Sequence, residues 1–321
     1  MPEPFILHAG IGTDVPTLEK ALALLPADES IPACIHLAPG VYREKVSIIR
    51  ANTTVCGESA EDTVLVYGDG AFETLPDGSK RGTFRTATLR TDADGVTLKN
   101  LTIRNDASPR ERVGQALALY ADGDMFTCED CILDSFQDTL FTAPLPPKEV
   151  QKNGFIGPKQ YAPRKQQRHT YLRCTIRGDI DFIFGGAAAW FEACDIVSVD
   201  GRENRSTPCE GYATAASTPE GQKFGYVFNR CRFLSDVMPA GSVYLGRPWR
   251  EFAKTVFLYC ELGAHIHPDG YTDWNKPHEN LFYAEYGCIG PGAMGMRAPF
   301  ARQLTPEACR EITYEAFMRS L

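Results

Sequence analysis

Apolar and polar positions exchange every few residues along most of this chain, and long helical periodicities are nearly absent between residues 30 and 300. One short unit recurs: "NLTIRND" from Asn100, "DCILDSF" from Asp130, "RCTIRGD" from Arg173, "ACDIVSV" from Ala193, "RCRFLSD" from Arg230 and "YCELGAH" from Tyr259. In each, a Cys or Leu is followed two positions on by a larger apolar side chain, the spacing that puts both on one face of a strand. The anchors Leu101, Cys131, Cys174, Cys194, Cys231 and Cys260 stand 30, 43, 20, 37 and 29 residues apart, expansions of a unit a little over 20. Short strands with Gly, Asn and Asp turns at such a repeat predict an all-β parallel β-helix, a solenoid whose equivalent positions stack coil on coil. A β-sandwich also accommodates short strands, but the cysteine ladder favours the solenoid.

The two ends carry a different pattern. "TDVPTLEKALALLPAD" has a Thr/Asp start, a Pro near the first turn, and Leu18, Ala21, Leu22 and Leu25 at helical spacing. "LTPEACREITYEAFM" repeats the formula, with Thr305 as N-cap followed by Pro306 and Glu307. A short capping helix at each terminus is expected to cover the open ends of the solenoid. No linker is visible, so residues 1–321 read as one domain.

The repeat brings acids into register. Asp138 follows Cys131 by seven residues, and Asp181 follows Cys174 by the same seven. If the cysteines stack, the aspartates stack one coil apart, at about the inter-strand distance of ~4.8 Å. Two carboxylates so placed titrate together, which pushes one upward and allows a protonated acid to stand beside an ionised nucleophile. Gln115 falls one coil before Gln137, and two amides beside two acids resemble a donor pair for a developing oxyanion; a structural Gln ladder is the alternative. "YLGRPWREFAKTVF" offers Arg247 as a partner for one aspartate and Trp249 as a flat apolar face for a sugar. Asp179, two before Asp181, should point to the same side of a strand, and the pattern gives it no role.

Charge and composition narrow the function. A formal net charge of −8 argues against general nucleic-acid affinity, and no apolar run approaches a membrane span. The eleven cysteines, an odd number lying mostly in strand-like segments, read as buried small hydrophobes of a reducing compartment. The one CxxC, "CEDC" at Cys128 and Cys131, lacks the second pair that zinc requires, so no metal is expected. The start shows no basic and then apolar leader, which predicts a cytoplasmic protein; secretion with a removed leader is the alternative. No G-x-S-x-G elbow occurs, and the six histidines are expected at the surface or in turns.

These pieces resemble the pectin methylesterases of carbohydrate esterase family 8. The resemblance rests on "PGVYREKV" (39–46), "GQALAL" (114–119), "QDTLF" (137–141), "DFIFGGAAAWFEAC" (181–194), "YLGRPWREFAKTVF" (244–257) and "EYGCIGPGA" (285–293), in family order across nearly the whole chain. It implies a right-handed parallel β-helix that removes methyl esters from C6 of galacturonate units in pectin or oligogalacturonides, through an aspartyl acyl-enzyme and with release of methanol. Asp181 is then the nucleophile, Asp138 the acid and later the base, Gln115 and Gln137 the oxyanion donors, and Arg247 the group that keeps Asp181 anionic. Trp249, Phe184 and Phe141 are expected to bind the sugar chain. No cofactor or metal is implied, and a monomer is expected.

Several positions depart from the family pattern. Phe141 replaces a usual tyrosine, Asp179 a small residue, and Tyr271 the first tryptophan of Gly-Trp-x-x-Trp, whose second is kept as Trp274; "TAAST" (214–218) lacks a common glutamine. The basic insertion between Thr142 and Gln167 is expected to wall the groove and meet free galacturonate carboxylates. Two further readings stay open: a lyase or glycosidase built on the same fold, and a carbohydrate-binding solenoid without catalysis.

Overall fold

The computed structural model describes residues 3–204 and 209–321. Among these, the strands form three parallel sheets of eleven, eight and seven members, wound as a right-handed β-helix. One coil runs through Phe126–Glu129 in the long sheet, Ile132–Asp134 in the eight-stranded sheet and Leu140–Thr142 in the seven-stranded sheet. The next repeats the path as Arg168–Leu172, Thr175–Gly178 and Ile180–Gly185. The oversized step between Cys131 and Cys174 is residues 143–167, which leave the coil between two of these strands.

The anchors stack as expected. Ile132, Thr175, Asp195, Arg232 and Glu261 pair in succession, and the cysteine before each lies inside the coil, wholly or almost wholly buried. The thiols follow one another closely enough for the amide of Cys194 to meet the sulfur of Cys231 at 3.4 Å. Just before each anchor the chain turns through a left-handed residue: Asn100, Asp130, Arg173, Ala193, Arg230 and Tyr259 all have φ between 51° and 54°. That conformation is unfavourable for a β-carbon. It persists because the sharp bend between sheets is over-determined by ladder hydrogen bonds on both sides. A second internal ladder, Tyr171, Phe191, Phe228 and Phe257, stacks ring on ring at 4.6, 4.4 and 5.1 Å.

The terminal helices partly follow expectation. Helix α1, Leu18–Ala23, starts later than the Thr13–Asp14 signal: Thr17 caps it, and the Glu44 carboxylate accepts the amides of Leu18 and Glu19. Its buried Leu18 and Ala21 cover the first coil. At the other end Thr305 caps a helix at Pro306–Arg310, and Thr313 caps another at Tyr314–Met318. These two do not close the end of the stack. They fold back over the long sheet, where Phe317 packs on Trp190 and Phe224, because that outward face is apolar over several coils.

All eleven cysteines are unpaired thiols, and four of them, Cys34, Cys56, Cys209 and Cys288, are only half-buried. A thiol reagent should therefore modify about four cysteines quickly in the folded protein and all eleven after denaturation, counted by mass spectrometry. Rapid modification of Cys194 or Cys231 in the native state would be incompatible with the ladder.

Candidate active site

The site lies on the outer face of the seven-stranded sheet and takes residues from successive coils. Gln115 precedes the Leu119–Ala121 strand, and Gln137 and Asp138 precede Leu140–Thr142. Asp181 lies in Ile180–Gly185, Ala215 in Gly211–Ala216, and Arg247 in Val243–Pro248. The Leu140–Thr142 strand pairs with Ile180–Gly185 through Leu140 to Ile183 and Phe141 to Phe184, and the amide of Asp138 donates to the carbonyl of Ile180 at 3.0 Å. The aspartates therefore stand one above the other, as the seven-residue offset predicts. Both adopt left-handed backbone, with φ of 64° at Asp138 and 49° at Asp181.

That conformation, with a shift in register between Ile180 and Ile183, breaks strand alternation at this point. Asp179 and Asp181 thus serve different places, contrary to the expectation that they share a side. Asp179 is 1% exposed, and its Oδ2 accepts from Arg110 at 2.7 Å and from the Gly201 amide at 3.1 Å. Its role is to anchor the short helix α2, Arg110–Val113, and the turn at Gly201 against the coil. A lone carboxylate could not be buried there, but a paired one can.

Asp181 is clasped by Arg247 in a two-pronged pair, Nε to Oδ1 at 2.8 Å and Nη2 to Oδ2 at 2.7 Å. Arg247 reaches Asp181 across the intervening strand Gly211–Ala216, where its own register partner is the small Ala215. Its guanidinium is held between two rings, Tyr212 at 3.8 Å and Trp274 at 3.9 Å. Repeat register gave no hint of Tyr212 in this place, and Trp274 was visible only as a retained motif tryptophan.

Electrostatics separates the two acids. Burial pushes Asp138 well above the usual carboxylate range, and the charge of Asp181 pushes it further. Burial also raises Asp181, but the two hydrogen bonds and the charge of Arg247 pull it back. The proton of the pair therefore resides on Asp138 and the negative charge on Asp181. The side-chain amides of Gln115 and Gln137 line the same cleft and have no hydrogen-bond partner among the described residues, so their donors remain open to a ligand.

The cleft, about 340 Å³, is bounded by Phe184, Trp249, Phe84 and Phe155 around the two aspartates. Phe184 and Trp249 meet at 5.6 Å, as walls of one groove. Phe141 is not a wall. It is fully buried among Phe84, Tyr120 and Phe184, so its expected contact with substrate is replaced by support of Phe184 from below. Tyr271 also lies outside the groove: it is 2% exposed and donates to Glu285 in the interior.

The insertion supplies one wall through Val150, Gln151, Gly154 and Phe155, but most of its cations do not face the groove. Lys159 pairs with Asp92 and Asp122, and Arg164 donates to four carbonyls of its own loop. Lys165 lies with Lys159 in a separate hollow, which leaves Lys148 and Lys152 exposed near the cleft. Two histidines also differ from expectation: His169 and His265 are buried, and burial lowers each to about 4, which leaves them neutral and away from the cleft.

Comparison with known proteins gives matches along nearly the whole chain. A profile of the Pectinesterase family matches residues 6–145 and 160–319, leaving out the centre of the insertion. The chain is 31% identical over 94% of its length to Probable pectinesterase/pectinesterase inhibitor 23 of Arabidopsis thaliana, and 30% identical over 96% to Pectinesterase QRT1 of the same plant. It spans 50% of the first relative and 75% of the second. Among solved structures it is similar to pectin methylesterase PemA from Erwinia chrysanthemi, with a TM-score of 0.80 at 29% identity, covering 100% of this chain and 98% of that one. A pectin methylesterase in complex with a hexasaccharide matches with a TM-score of 0.79 at 29% identity, over 100% of this chain and 98% of the other. The carrot enzyme matches at 0.80 and 27%, over 99% and 93%.

A buried carboxyl raised above its unfolded value binds its proton more tightly when folded. Its contribution to stability is complete below the ordinary aspartate range and declines as pH rises toward the folded value. Asp138→Asn should therefore raise the melting temperature at neutral pH by about 2 °C or more, and the gain should vanish below about pH 4. Thermal unfolding across pH measures it; a melting temperature equal to or below that of the unsubstituted protein at neutral pH would contradict the assignment of the proton.

Proposed function

The chain belongs to the pectinesterase family, and on that premise we propose that its cleft hydrolyses C6 methyl esters of galacturonate units in pectin or oligogalacturonides. The observation that carries this reading is the split pair: an ionised Asp181 locked by Arg247, directly beside a buried Asp138 that keeps its proton. The structural similarity to a pectin methylesterase bound to a hexasaccharide supports a sugar chain as the ligand of the groove.

Asp181 Oδ attacks the ester carbonyl, and the amides of Gln115 and Gln137 receive the charge that builds on its oxygen. The tetrahedral intermediate collapses, the C–O bond to the methoxy group breaks, and Asp138 transfers its proton to the departing methanol. Now anionic, Asp138 takes a proton from water as that water attacks the acyl-enzyme. The free galacturonate carboxyl leaves, Asp181 is restored, and Asp138 is protonated again. Arg247 stays paired with Asp181 and, held between Tyr212 and Trp274, keeps the carboxylate aimed rather than rotating away with it. Phe184 and Trp249 offer apolar faces for the sugar rings.

All the groups invoked come from one chain, which suits a monomer. Eleven free thiols suit a reducing compartment such as the cytoplasm, and there the substrate is a short imported oligogalacturonide.

Methylated pectin oligomers given to the protein should release methanol without unsaturated ends and without new reducing ends. Asp181→Asn should lower that release by at least on the order of 10³-fold. Gln115→Leu should lower kcat by on the order of 10²-fold and move KM little. Full methanol release by Asp181→Asn would remove the nucleophile, and appearance of unsaturated or reducing ends would favour a lyase or a glycosidase.

A further inference from the structure

Arg250 is the second guanidinium of the cleft, three residues beyond Arg247, and its surroundings are unlike those of its neighbour. It is half-buried, lies against the Trp249 ring at 4.7 Å and faces Phe155 at 6.0 Å. Nη1 donates to the carbonyl of Trp249 at 2.8 Å, and Nη2 to the carbonyl of Lys148 at 3.2 Å. Among the described residues no carboxylate lies within ion-pair distance of it. Glu149, the insertion acid nearest in sequence to Lys148, instead accepts the amides of Asn153 and Phe155.

Arg247 and Arg110 pair with Asp181 and Asp179, and Arg164, which has no carboxylate either, spends its donors on four carbonyls of its own loop. With no anion beside it, burial alone acts on Arg250 and lowers its pKa. A partly desolvated cation without a counter-charge costs free energy, and five donors of which two are engaged leave three with no acceptor among the described residues. Lys148 and Lys152, exposed and outside any ion pair among the described residues, add positive charge to the same rim. That local excess sits on a chain whose formal net charge is −8.

The geometry points to Arg250 as the reader of a free uronate carboxylate: a subsite on the insertion side of the cleft that takes an unesterified galacturonate unit of the chain being demethylated. The inference rests on the esterase reading above. A planar guanidinium with adjacent free N–H groups matches a carboxylate through charge-assisted bonds, whereas a methyl ester offers neither the charge nor two equivalent acceptors. Trp249 and Phe155 exclude water around the pair, which strengthens it relative to the surface lysines. The preferred substrate is therefore a partly de-esterified oligogalacturonide rather than a fully esterified one.

The test compares kcat/KM for methanol release from two probes, a half-esterified and a fully methyl-esterified hexagalacturonate. Arg250→Gln should lower the ratio of the two values about tenfold, mostly through KM on the half-esterified probe, and Arg250→Lys should recover part of it. An unmoved ratio overturns the subsite, including the case in which both probes suffer equally because the link to Lys148 only holds the insertion in place. If the unsubstituted protein releases no methanol from either probe, the esterase reading fails, and the subsite is judged on its own by calorimetry with unesterified trigalacturonate. Binding about tenfold weaker in Arg250→Gln supports it, and equal binding overturns it.

Discussion

Each coil of the solenoid must pass its backbone hydrogen bonds to the next at strand spacing, about 4.8 Å, and no coil can rotate without breaking both neighbouring ladders. The site inherits its precision from that constraint. Gln115, the Gln137–Asp138 pair, Asp181 and Arg247 are far apart in sequence, yet each lies in or just before a strand of one seven-stranded parallel sheet. A groove built across stacked strands is more rigid than one built on loops, and the chemistry proposed here needs two acids held at one separation through two successive displacements.

The same stacking creates the electrostatic problem that the site exploits. Two buried carboxylates one coil apart cannot both ionise cheaply. Arg247 resolves the conflict in favour of Asp181 because its fork meets both oxygens of that acid. The two rings that enclose Arg247 limit its alternative rotamers and shield it from water, so the charge it supplies is not diluted. Asp138 is left with burial and a neighbouring negative charge, and it keeps its proton for the same reasons.

How far this was legible in the sequence depends on what each residue is set by. The coil register was readable from Cys131, Cys174, Cys194, Cys231 and Cys260, since a buried column needs small apolar groups at one repeated position. The seven-residue offset then yielded the acid pair with no further information. Phe141 was misplaced because it lies beside motif residues, and nothing in its spacing tells a wall of the groove from the packing that supports it. Asp179 was unreadable for a related reason: its partner, Arg110, is 69 residues away on a helix of four residues outside the repeat. The C-terminal helices were recognisable by their caps, but where a helix docks depends on which sheet face stays apolar over several coils, and that is a sum over Trp190, Phe224 and Val256 rather than a local signal.

Cations of the insertion make the same point from the other side. Its sequence shows a run of lysines and arginines, and charge alone would direct all of them at an acidic polymer. In the folded chain Lys159 and Arg164 hold the loop to the coil and to itself, and a rigid loop is what lets Phe155 and the Lys148 carbonyl reach the groove in fixed positions. Those two contacts orient Arg250, which belongs to the coil and not to the insertion. The positive charge that faces the cleft is thus supplied mainly by the scaffold, while the basic segment contributes the shape that aims it.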